Sequence, residues 1–232
     1  MNHQLYIRSA AAYVIGEMGE EITNLTSGKA FDDLNPEQLA LIVEAGKEKG
    51  LRIHRFKRTM GLPRVSKVLG ILKALYPQSM LDIGTGRGVF LWPLLDLYPD
   101  IQVTCADILD YRYNFLCKVR DGGLDNIHPV LGDIKTLDFK DGCFDVVTFL
   151  ETLEHIPQPI KALLNALRMA GRALIISVPS KEDTNPEHIH LLDESFFRNT
   201  LTDHTDCSLS FEYVPNHMLV YIIKNNNHGS DH

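Results

Sequence analysis

The stretch LDIGTGRG, residues 81–88, decides the fold of this chain. It closes a short apolar strand, SMLDIG, and then places three glycines at alternate positions, Gly84, Gly86 and Gly88. Glycine accepts the positive φ angles of a sharp turn, and without a Cβ it lets a ligand approach the backbone closely. A turn of this kind between a strand and a helix is typical of a ligand-binding loop at the N-terminus of the helix.

Outward from this turn, short apolar strands alternate with helices from about residue 62 to 224. The predicted strands are SMLDIG, QVTCAD, IHPVLGD, CFDVVTFL, RALIISVP, CSLSFEYV and HMLVYIIK. Alternation of this kind favours a parallel sheet with helices on both faces. Pro215 and Asn216 alone separate the last two strands, so these two must pair as a hairpin. The predicted fold is a doubly wound, mostly parallel α/β sheet of seven strands that ends in an antiparallel hairpin.

The first 61 residues contain no strand-like run and read as a helical N-terminal extension. A helical pattern covers about Leu5–Ile22, and a second helix begins at NPEQLALIVEAG, where Asn35, Pro36 and Gln38 form a capping signal. We therefore predict an extension at 1–61, an α/β domain at 62–224 and a disordered polar tail at 225–232.

Composition indicates a soluble protein of the cytoplasm. The chain has 232 residues, and its hydrophobic fraction of 44% is enough for a substantial core. Four scattered cysteines without a CxxC pair disfavour a disulfide framework and suit a reducing compartment. No apolar run reaches the roughly 18 residues of a membrane span.

Basic residues concentrate in one stretch, KEKGLRIHRFKRTMGLPRVSK, residues 47–67. It holds eight Lys/Arg and one Glu, and because the chain carries −7 overall, the other residues sum to −14. Such asymmetry indicates a docking patch for an anionic partner such as RNA, although a solvated helix face would look the same.

Acidic residues stand at the ends of the first three strands. Asp82 precedes the glycines, Asp107 closes the second strand, where it can accept hydrogen bonds from a ribose diol, and Asp133 closes the third, where it can bind an adenine amino group. A glycine turn followed by such acids also describes a dinucleotide site. The spacing here is GxGxG and not GxGxxG.

With the terminal hairpin, these motifs resemble the class I S-adenosylmethionine-dependent methyltransferases from about residue 65 to 224. The resemblance implies that Gly84, Gly86 and Gly88 lie under the methionyl part of the cofactor and Asp82 near its amino group. Asp107 would bind the ribose, and Asp133 with Ile134 would flank the adenine.

A second cluster follows the fourth strand, in FLETLEHIPQP, residues 149–159. Glu151, Glu154 and His155 have helical i, i+3, i+4 spacing, and His188 and His190 follow the fifth strand. Carboxylates and imidazoles together suit a divalent ion such as Mg²⁺, Mn²⁺ or Fe²⁺. The alternative is a hydrogen-bonded polar cluster at the rim of the pocket.

Glu-x-x-Glu-His with a distant histidine resembles the 3′-terminal ribose 2′-O-methyltransferases of small RNAs, in which a metal holds the terminal hydroxyls. The implied metal and catalytic set is Glu151, Glu154, His155 and His188, with His190 as a substitute. The chain lacks the large RNA-binding additions of that family. The same segment also resembles the ubiquinone-pathway O-methyltransferases, which act on catechol-like small molecules.

The sequence therefore predicts an S-adenosylmethionine-dependent methyltransferase that acts on oxygen, with RNA or a small molecule as acceptor. One alternative is a metal-independent small-molecule O-methyltransferase that uses His155 or His188 as base. The other is a non-catalytic nucleotide-binding protein.

Overall fold

The structure, a computed structural model, describes residues 5–182 and 184–225. The predicted tail at 225–232 lies outside the described residues except for Asn225. The described part of the chain contains eight α-helices, four short 3₁₀ helices and seven strands. The helices are α1 Ile7–Met18, α2 Thr23–Thr26, α3 Pro36–Glu48, α4 Pro63–Leu75, α5 Leu91–Leu97, α6 Asp110–Asp121, α7 Pro159–Met169 and α8 Glu194–Thr200. The strands are β1 Ser79–Ile83, β2 Gln102–Asp107, β3 Ile127–Leu131, β4 Phe144–Leu150, β5 Ala170–Pro179, β6 Cys207–Val214 and β7 His217–Lys224.

All seven strands form one sheet in the order β3-β2-β1-β4-β5-β7-β6. Strands β1 to β5 are parallel, and β7 is antiparallel to both β5 and β6. Strands β2 and β3 are added in turn on one side of β1. The chain then crosses to the other side of β1, where β4 pairs with it. Ligands of such sheets bind outside the carboxyl ends of the strands at this reversal point, between β1 and β4.

The predicted hairpin is confirmed at the edge of the sheet. Pro215 and Asn216 connect β6 to β7, and Asn216 takes the left-handed conformation, with φ of 67°. Since β7 runs antiparallel to β5, its first residue lies opposite the last residue of β5, Pro179↔His217. The turn therefore brings His217 to the same edge as the carboxyl ends of β1 to β5.

Hydrophobic residues are buried on both faces of the sheet, as the doubly wound prediction requires. One buried cluster joins the sheet to α4, α5, α6 and the N-terminal helices. The other joins the opposite face to α7 and α8. Each face of the parallel sheet is thus removed from water, which explains why its strands read as continuous apolar runs.

The N-terminal helices share their core with the α/β domain. Helix α1 packs along α6 so closely that a Cβ on Gly16 would lie 1.8 Å from the carbonyl oxygen of Lys118. The aromatic rings of Phe56, Trp92 and Phe115 pack against one another in tilted and edge-to-face pairs, with centroid distances of 5.0 to 6.0 Å. Trp92 is fully buried. The extension is consequently fixed against the domain.

The predicted cap at Asn35 is present, with the side chain of Asn35 accepting from the N–H of Gln38 at 2.9 Å and Pro36 opening α3. Among residues 5–182 and 184–225, no helix combines the length and hydrophobicity that crossing a bilayer would require.

Candidate functional site

Loops after β1, β2, β3 and β4 surround a cavity of about 460 Å³, here named the carboxyl-edge cavity. Its wall includes Gly84, Asp107, Asp133 and Ile134, four residues that the sequence analysis singled out, and also Glu151 and His155. These side chains come from four different loops and meet only because the parallel strands end at one edge. The cavity is therefore the first candidate for a ligand site.

The glycine turn takes the conformation that its sequence predicts. Gly84, Gly86 and Gly88 have φ angles of 70°, 60° and 81°. At Gly84 an added Cβ would lie 2.4 Å from Oγ1 of Thr152, and at Gly88 it would lie 2.1 Å from the ring of Trp92. Glycine is thus required at these two positions both for the backbone angle and for space.

Asp107 joins the loop after β1 to the loop after β2. Its Oδ2 accepts from the N–H of Gly86 and its Oδ1 from the N–H of Leu109, each at 3.0 Å. The guanidinium of Arg112 lies 3.7 Å away. A carboxylate has about four lone-pair sites, so these two backbone bonds leave acceptor capacity toward the cavity.

Asp133 and Ile134 form the end of the cavity that follows β3. Oδ1 of Asp133 accepts from the N–H of Lys135 at 2.9 Å, and Oδ2 lies 3.3 Å from Nζ of Lys135. Ile134 is buried against the face that carries α7 and α8. The arrangement offers one acceptor and one apolar surface side by side.

Asp82 is buried within β1, directly before the glycine turn. Its Oδ1 accepts from Oγ1 of Thr148 at 2.7 Å. Burial raises the pKa of Asp82 to about 6, although hydrogen bonds from Thr148 and Thr85 oppose this rise. Near neutral pH, Asp82 therefore brings a poorly solvated negative charge under the turn.

Glu151 occupies a strained position immediately after β4, with φ of 52°. Its Oε1 accepts from Oγ of Ser177 at 2.6 Å, and its Oε2 lies 2.8 Å from Nε2 of His217. Burial alone would raise the pKa of Glu151, but the hydrogen bonds from His217 and Ser177 lower it below the usual value. The same hydrogen bond raises the pKa of His217.

The structure divides the predicted metal set into two groups. Glu154, His155 and His188 offer ligand atoms within 4.8 Å of one another, whereas Glu151 is bonded to Ser177 and His217 and stands outside that group. His190 also stands outside it, because its Nε2 bonds to the carbonyl of Ile156 at 3.0 Å. The one-turn spacing misplaced Glu151 because the chain leaves β4 through a positive-φ turn and a 3₁₀ helix, Leu153–His155, and not through an α-helix.

The carboxylate of Glu154 lies between two imidazoles. Its Oε1 is 4.0 Å from Nε2 of His155 and 3.9 Å from Nε2 of His188, and the side chain of Glu154 is fully buried. Nδ1 of His155 lies 2.8 Å from the carbonyl oxygen of Glu187. A carbonyl only accepts, so Nδ1 of His155 carries a proton that it donates to the carbonyl of Glu187, and Nε2 is the ring atom on the side of Glu154.

A second cavity of about 470 Å³ adjoins the first and is named here the arginine cavity. Arg55, Arg64, Arg87 and Arg112 line it, together with Asp82 and Glu151. Both cavities share Gly84, Tyr111, Arg112 and Glu151 in their walls. Glu151 therefore lies at the junction between the two.

Sequence reasoning missed His217, Ser177 and the converging arginines. His217 was detectable, because antiparallel pairing with β5 brings the residue after the hairpin turn to the carboxyl edge. Arg55 and Arg64 were visible only as part of a basic stretch, since nothing in the spacing shows that the end of the extension and the start of α4 lie at this edge.

Comparisons with known proteins agree with this architecture. Residues 81–173 match the family model described as a methyltransferase domain. Over 90 residues the chain is 36% identical to ribosomal RNA small subunit methyltransferase G of Streptococcus pyogenes. The matched stretch covers 36% of this chain and 37% of that protein. The chain thus matches little more than a third of the length of this curated relative.

Solved structures extend the likeness to the whole fold. A SAM dependent methyltransferase from Aquifex aeolicus superposes with a TM-score of 0.55 at 20% identity, covering 69% of this chain and 97% of that one. Magnesium protoporphyrin IX methyltransferase from Synechocystis PCC 6803, with bound SAH, gives 0.56 at 17% identity, covering 90% and 96%. The chain has the class I methyltransferase fold, and the predicted methyltransferase class is supported by the fold and by the domain match.

Proposed function

We propose that this protein transfers the methyl group of S-adenosylmethionine to an oxygen atom of its acceptor. One observation carries the proposal: the glycine turn, Asp107 and Asp133 converge on the carboxyl-edge cavity within a methyltransferase fold. The Synechocystis structure holds SAH, the demethylated product of this cofactor, in the same fold. The domain match favours this cofactor over a dinucleotide.

Each cofactor residue offers chemistry that one part of S-adenosylmethionine needs. Asp107 has acceptor capacity for the ribose diol, and its bonds to Gly86 and Leu109 fix its orientation in advance. Asp133 accepts from the adenine amino group, while Ile134 packs against the base. Asp82, under the glycine turn, attracts the ammonium of the methionyl part.

Methyl transfer is an in-line displacement, so the protein must align an acceptor oxygen with the sulfonium methyl and arrange removal of one proton. Glu151 lies at the junction of the two cavities, where the acceptor would meet the methyl group. Its low pKa makes it a weak base. Glu151 therefore accepts a hydrogen bond from the acceptor and orients it, and another group takes the proton.

Glu154, His155 and His188 fit a divalent metal by their chemistry. One carboxylate and two imidazoles suit a first-row ion such as Mn²⁺ or Fe²⁺ better than Mg²⁺, which prefers oxygen ligands. The proton that His155 donates to the carbonyl of Glu187 orients its Nε2 as a ligand, as such partners do at metal sites. A bound ion would hold vicinal hydroxyls and lower the pKa of the one that is attacked.

Calorimetric titration with Mn²⁺ tests this metal role without any acceptor. We expect about one Mn²⁺ per chain in the wild type, at least tenfold weaker binding in Glu154→Gln, and unchanged binding in Glu151→Gln, whose residue lies outside the group. Equal binding in Glu154→Gln and the wild type would favour the metal-independent alternative, in which His155 or His188 acts as the base.

The names of two similar proteins suggest two classes of acceptor, RNA and a small molecule. The name of the S. pyogenes relative specifies ribosomal RNA, and that of the Synechocystis structure specifies a magnesium porphyrin. The basic stretch at 47–67 favours an anionic acceptor in either case. The weakest alternative is a non-catalytic nucleotide-binding protein with a degenerate site. The glycine turn, Asp107 and Asp133 are all in place around the cavity, so the site is not degenerate at these positions.

Transfer of tritium from methyl-labelled S-adenosylmethionine tests the activity. The purified chain is incubated with a cellular RNA fraction and, separately, with a small-molecule extract, and label is counted in each. We expect label in one fraction, released by treatment specific for methyl ethers or esters. With Asp107→Ala the label should be lower by about tenfold or more, at a cofactor concentration that does not saturate the wild type. Label in neither fraction, while S-adenosylhomocysteine still binds, would favour the non-catalytic alternative.

A further inference from the structure

We infer that the acceptor carries an oxyanion, a phosphate or a carboxylate, which binds in the arginine cavity beside Glu151. This inference rests on the proposed methyl transfer and adds the chemical class of the acceptor. Its basis is the convergence of Arg55, Arg64, Arg87 and Arg112 on a space that opens onto the carboxyl-edge cavity.

Four separate parts of the chain supply these arginines. Arg55 belongs to the 3₁₀ helix Ile53–Phe56, Arg64 to the first turn of α4, Arg87 to the glycine turn and Arg112 to α6. Arg55 is held by its guanidinium, which lies 4.7 Å from the ring centre of Phe115. Guanidinium groups gathered from distant segments around one space make a site for an anion, since each offers planar, charged donors.

The positive charge in the cavity is not balanced by its own acids. Among the described residues, Arg55, Arg64 and Arg87 take part in none of the ion pairs. Asp82 is charged near neutral pH but is buried and bonded to Thr148. Glu151, whose pKa the nearby Arg64 helps to lower, is paired with His217. The four arginines of the cavity therefore outnumber its two acids. An anionic ligand would therefore meet charges that the protein leaves available.

The cofactor alone does not account for four arginines. Its methionyl end carries one carboxylate, and one guanidinium pairs with one carboxylate in a bidentate arrangement. Arg55, Arg64 and Arg87 line the arginine cavity but not the carboxyl-edge cavity. The wall of the arginine cavity also includes Glu151, beside which the acceptor oxygen would be presented to the methyl group.

The basic residues of the stretch 47–67 fall into groups with different surroundings. Four of its eight basic side chains are paired with acids at the surface, namely Lys47 with Glu44, Lys49 with Glu21, Arg58 with Asp96 and Lys67 with Glu212. Arg55 and Arg64, by contrast, line the cavity. The two other basic residues of the stretch, Arg52 and Lys57, are exposed. Part of the charge asymmetry of the sequence, from Arg55 and Arg64, thus belongs to an anion site in the arginine cavity.

Calorimetry on the protein saturated with S-adenosylhomocysteine tests the inference. The probes are pyrophosphate and 4-hydroxybenzoate at low ionic strength, and a probe whose binding is lost in the arginine variants represents an oxyanion class that the cavity accepts. The variants are Arg64→Gln, Arg87→Gln and Arg112→Gln. The control is Arg120→Gln, on the same helix as Arg112, with its side chain 41% exposed against 40% for Arg112.

We expect each of the three variants to weaken the oxyanion by about tenfold or more. Arg64→Gln, the variant that lies outside the glycine turn and away from Asp107, should change the affinity for S-adenosylhomocysteine by less than about threefold. Arg87→Gln or Arg112→Gln should lower that affinity where the guanidinium also pairs with the methionyl carboxylate, and Arg120→Gln should change neither affinity. No binding of either probe to the wild type, or unchanged binding in the three variants, would overturn the inference. An equal loss of S-adenosylhomocysteine affinity would assign the arginines to the cofactor instead, and absence of S-adenosylhomocysteine binding to the wild type would defeat the proposed function itself.

Discussion

Oε2 of Glu151 and Nε2 of His217 lie 2.8 Å apart and connect the end of β4 to the start of β7. Strand β5 lies between these two strands and contributes Ser177, whose hydroxyl donates to the other oxygen of Glu151. Nδ1 of His217 lies 3.0 Å from the carbonyl oxygen of Pro215, so a protonated ring donates on both sides. The pair therefore holds the residue at the junction of the two cavities in a backbone conformation that is costly by itself.

His217→Gln should lower the free energy of unfolding by about 1–3 kcal/mol, because it removes the charged partner of a largely buried carboxylate. Urea denaturation near pH 6 measures this change. Arg198→Gln, which breaks the exposed pair with Glu194, serves as control and should cost less than about 1 kcal/mol. Equal losses in the two variants would contradict the structural role of the Glu151–His217 pair.

The effect of His217→Gln should depend on pH. The raised pKa of His217 means that its contribution is present below its unfolded value of 6.5 and is lost as pH rises through the folded pKa. The lowered pKa of Glu151 means that its contribution is present above 4.5 and is lost as pH falls. The difference between wild type and variant should thus be largest between about pH 4.5 and 6.5. A constant difference from pH 4 to 9 would exclude an ion pair.

Asp82→Asn should change how the free energy of unfolding depends on pH. A carboxyl whose folded pKa is raised from 3.8 to about 6 stabilises the fold below the unfolded pKa and loses this contribution as pH rises through 6. We expect wild-type stability to fall by up to about 3 kcal/mol across this window, and the variant to lack the decrease. Matching pH profiles of urea unfolding for the two proteins would show that Asp82 does not titrate there.

Gly84→Ala should impair folding and cofactor binding together. The new Cβ would lie 2.4 Å from Oγ1 of Thr152, in a residue with φ of 70°. We expect a loss of more than about 1 kcal/mol in unfolding free energy. Gly61→Ala is the control, because its Cβ would meet no heavy atom within 4 Å. A Gly84→Ala protein as stable as Gly61→Ala would contradict the tight turn.

The fold could be predicted from the sequence because its signals are local. Strand runs, the glycine turn and the Pro215–Asn216 link each determine a nearby conformation, and short connections leave few ways to order the strands. Asp107 and Asp133 were identified for the same reason, since each ends a parallel strand and parallel strands end at one edge.

The acceptor side could not be predicted in the same way. A positive φ at Glu151 turns its side chain toward His217 and away from Glu154, and no residue spacing encodes that turn. Arg55 reaches the cavity through long-range packing of the extension, in which Phe56 and Phe115 take part, and Arg64 reaches it through the position of the first turn of α4. Such placement depends on contacts between segments far apart in the chain.

Calorimetric titration with S-adenosylhomocysteine tests the central claim most directly. Wild-type protein should bind one molecule per chain, and NAD should give no heat. Asp107→Ala should weaken binding by about 10- to 100-fold, since it removes charge-assisted hydrogen bonds worth about 1.5–3 kcal/mol. Asp110→Ala, an exposed acid three residues further on, should bind like the wild type. Absence of binding, or equal affinity in Asp107→Ala and the wild type, would contradict the assignment of this chain as an S-adenosylmethionine-dependent methyltransferase.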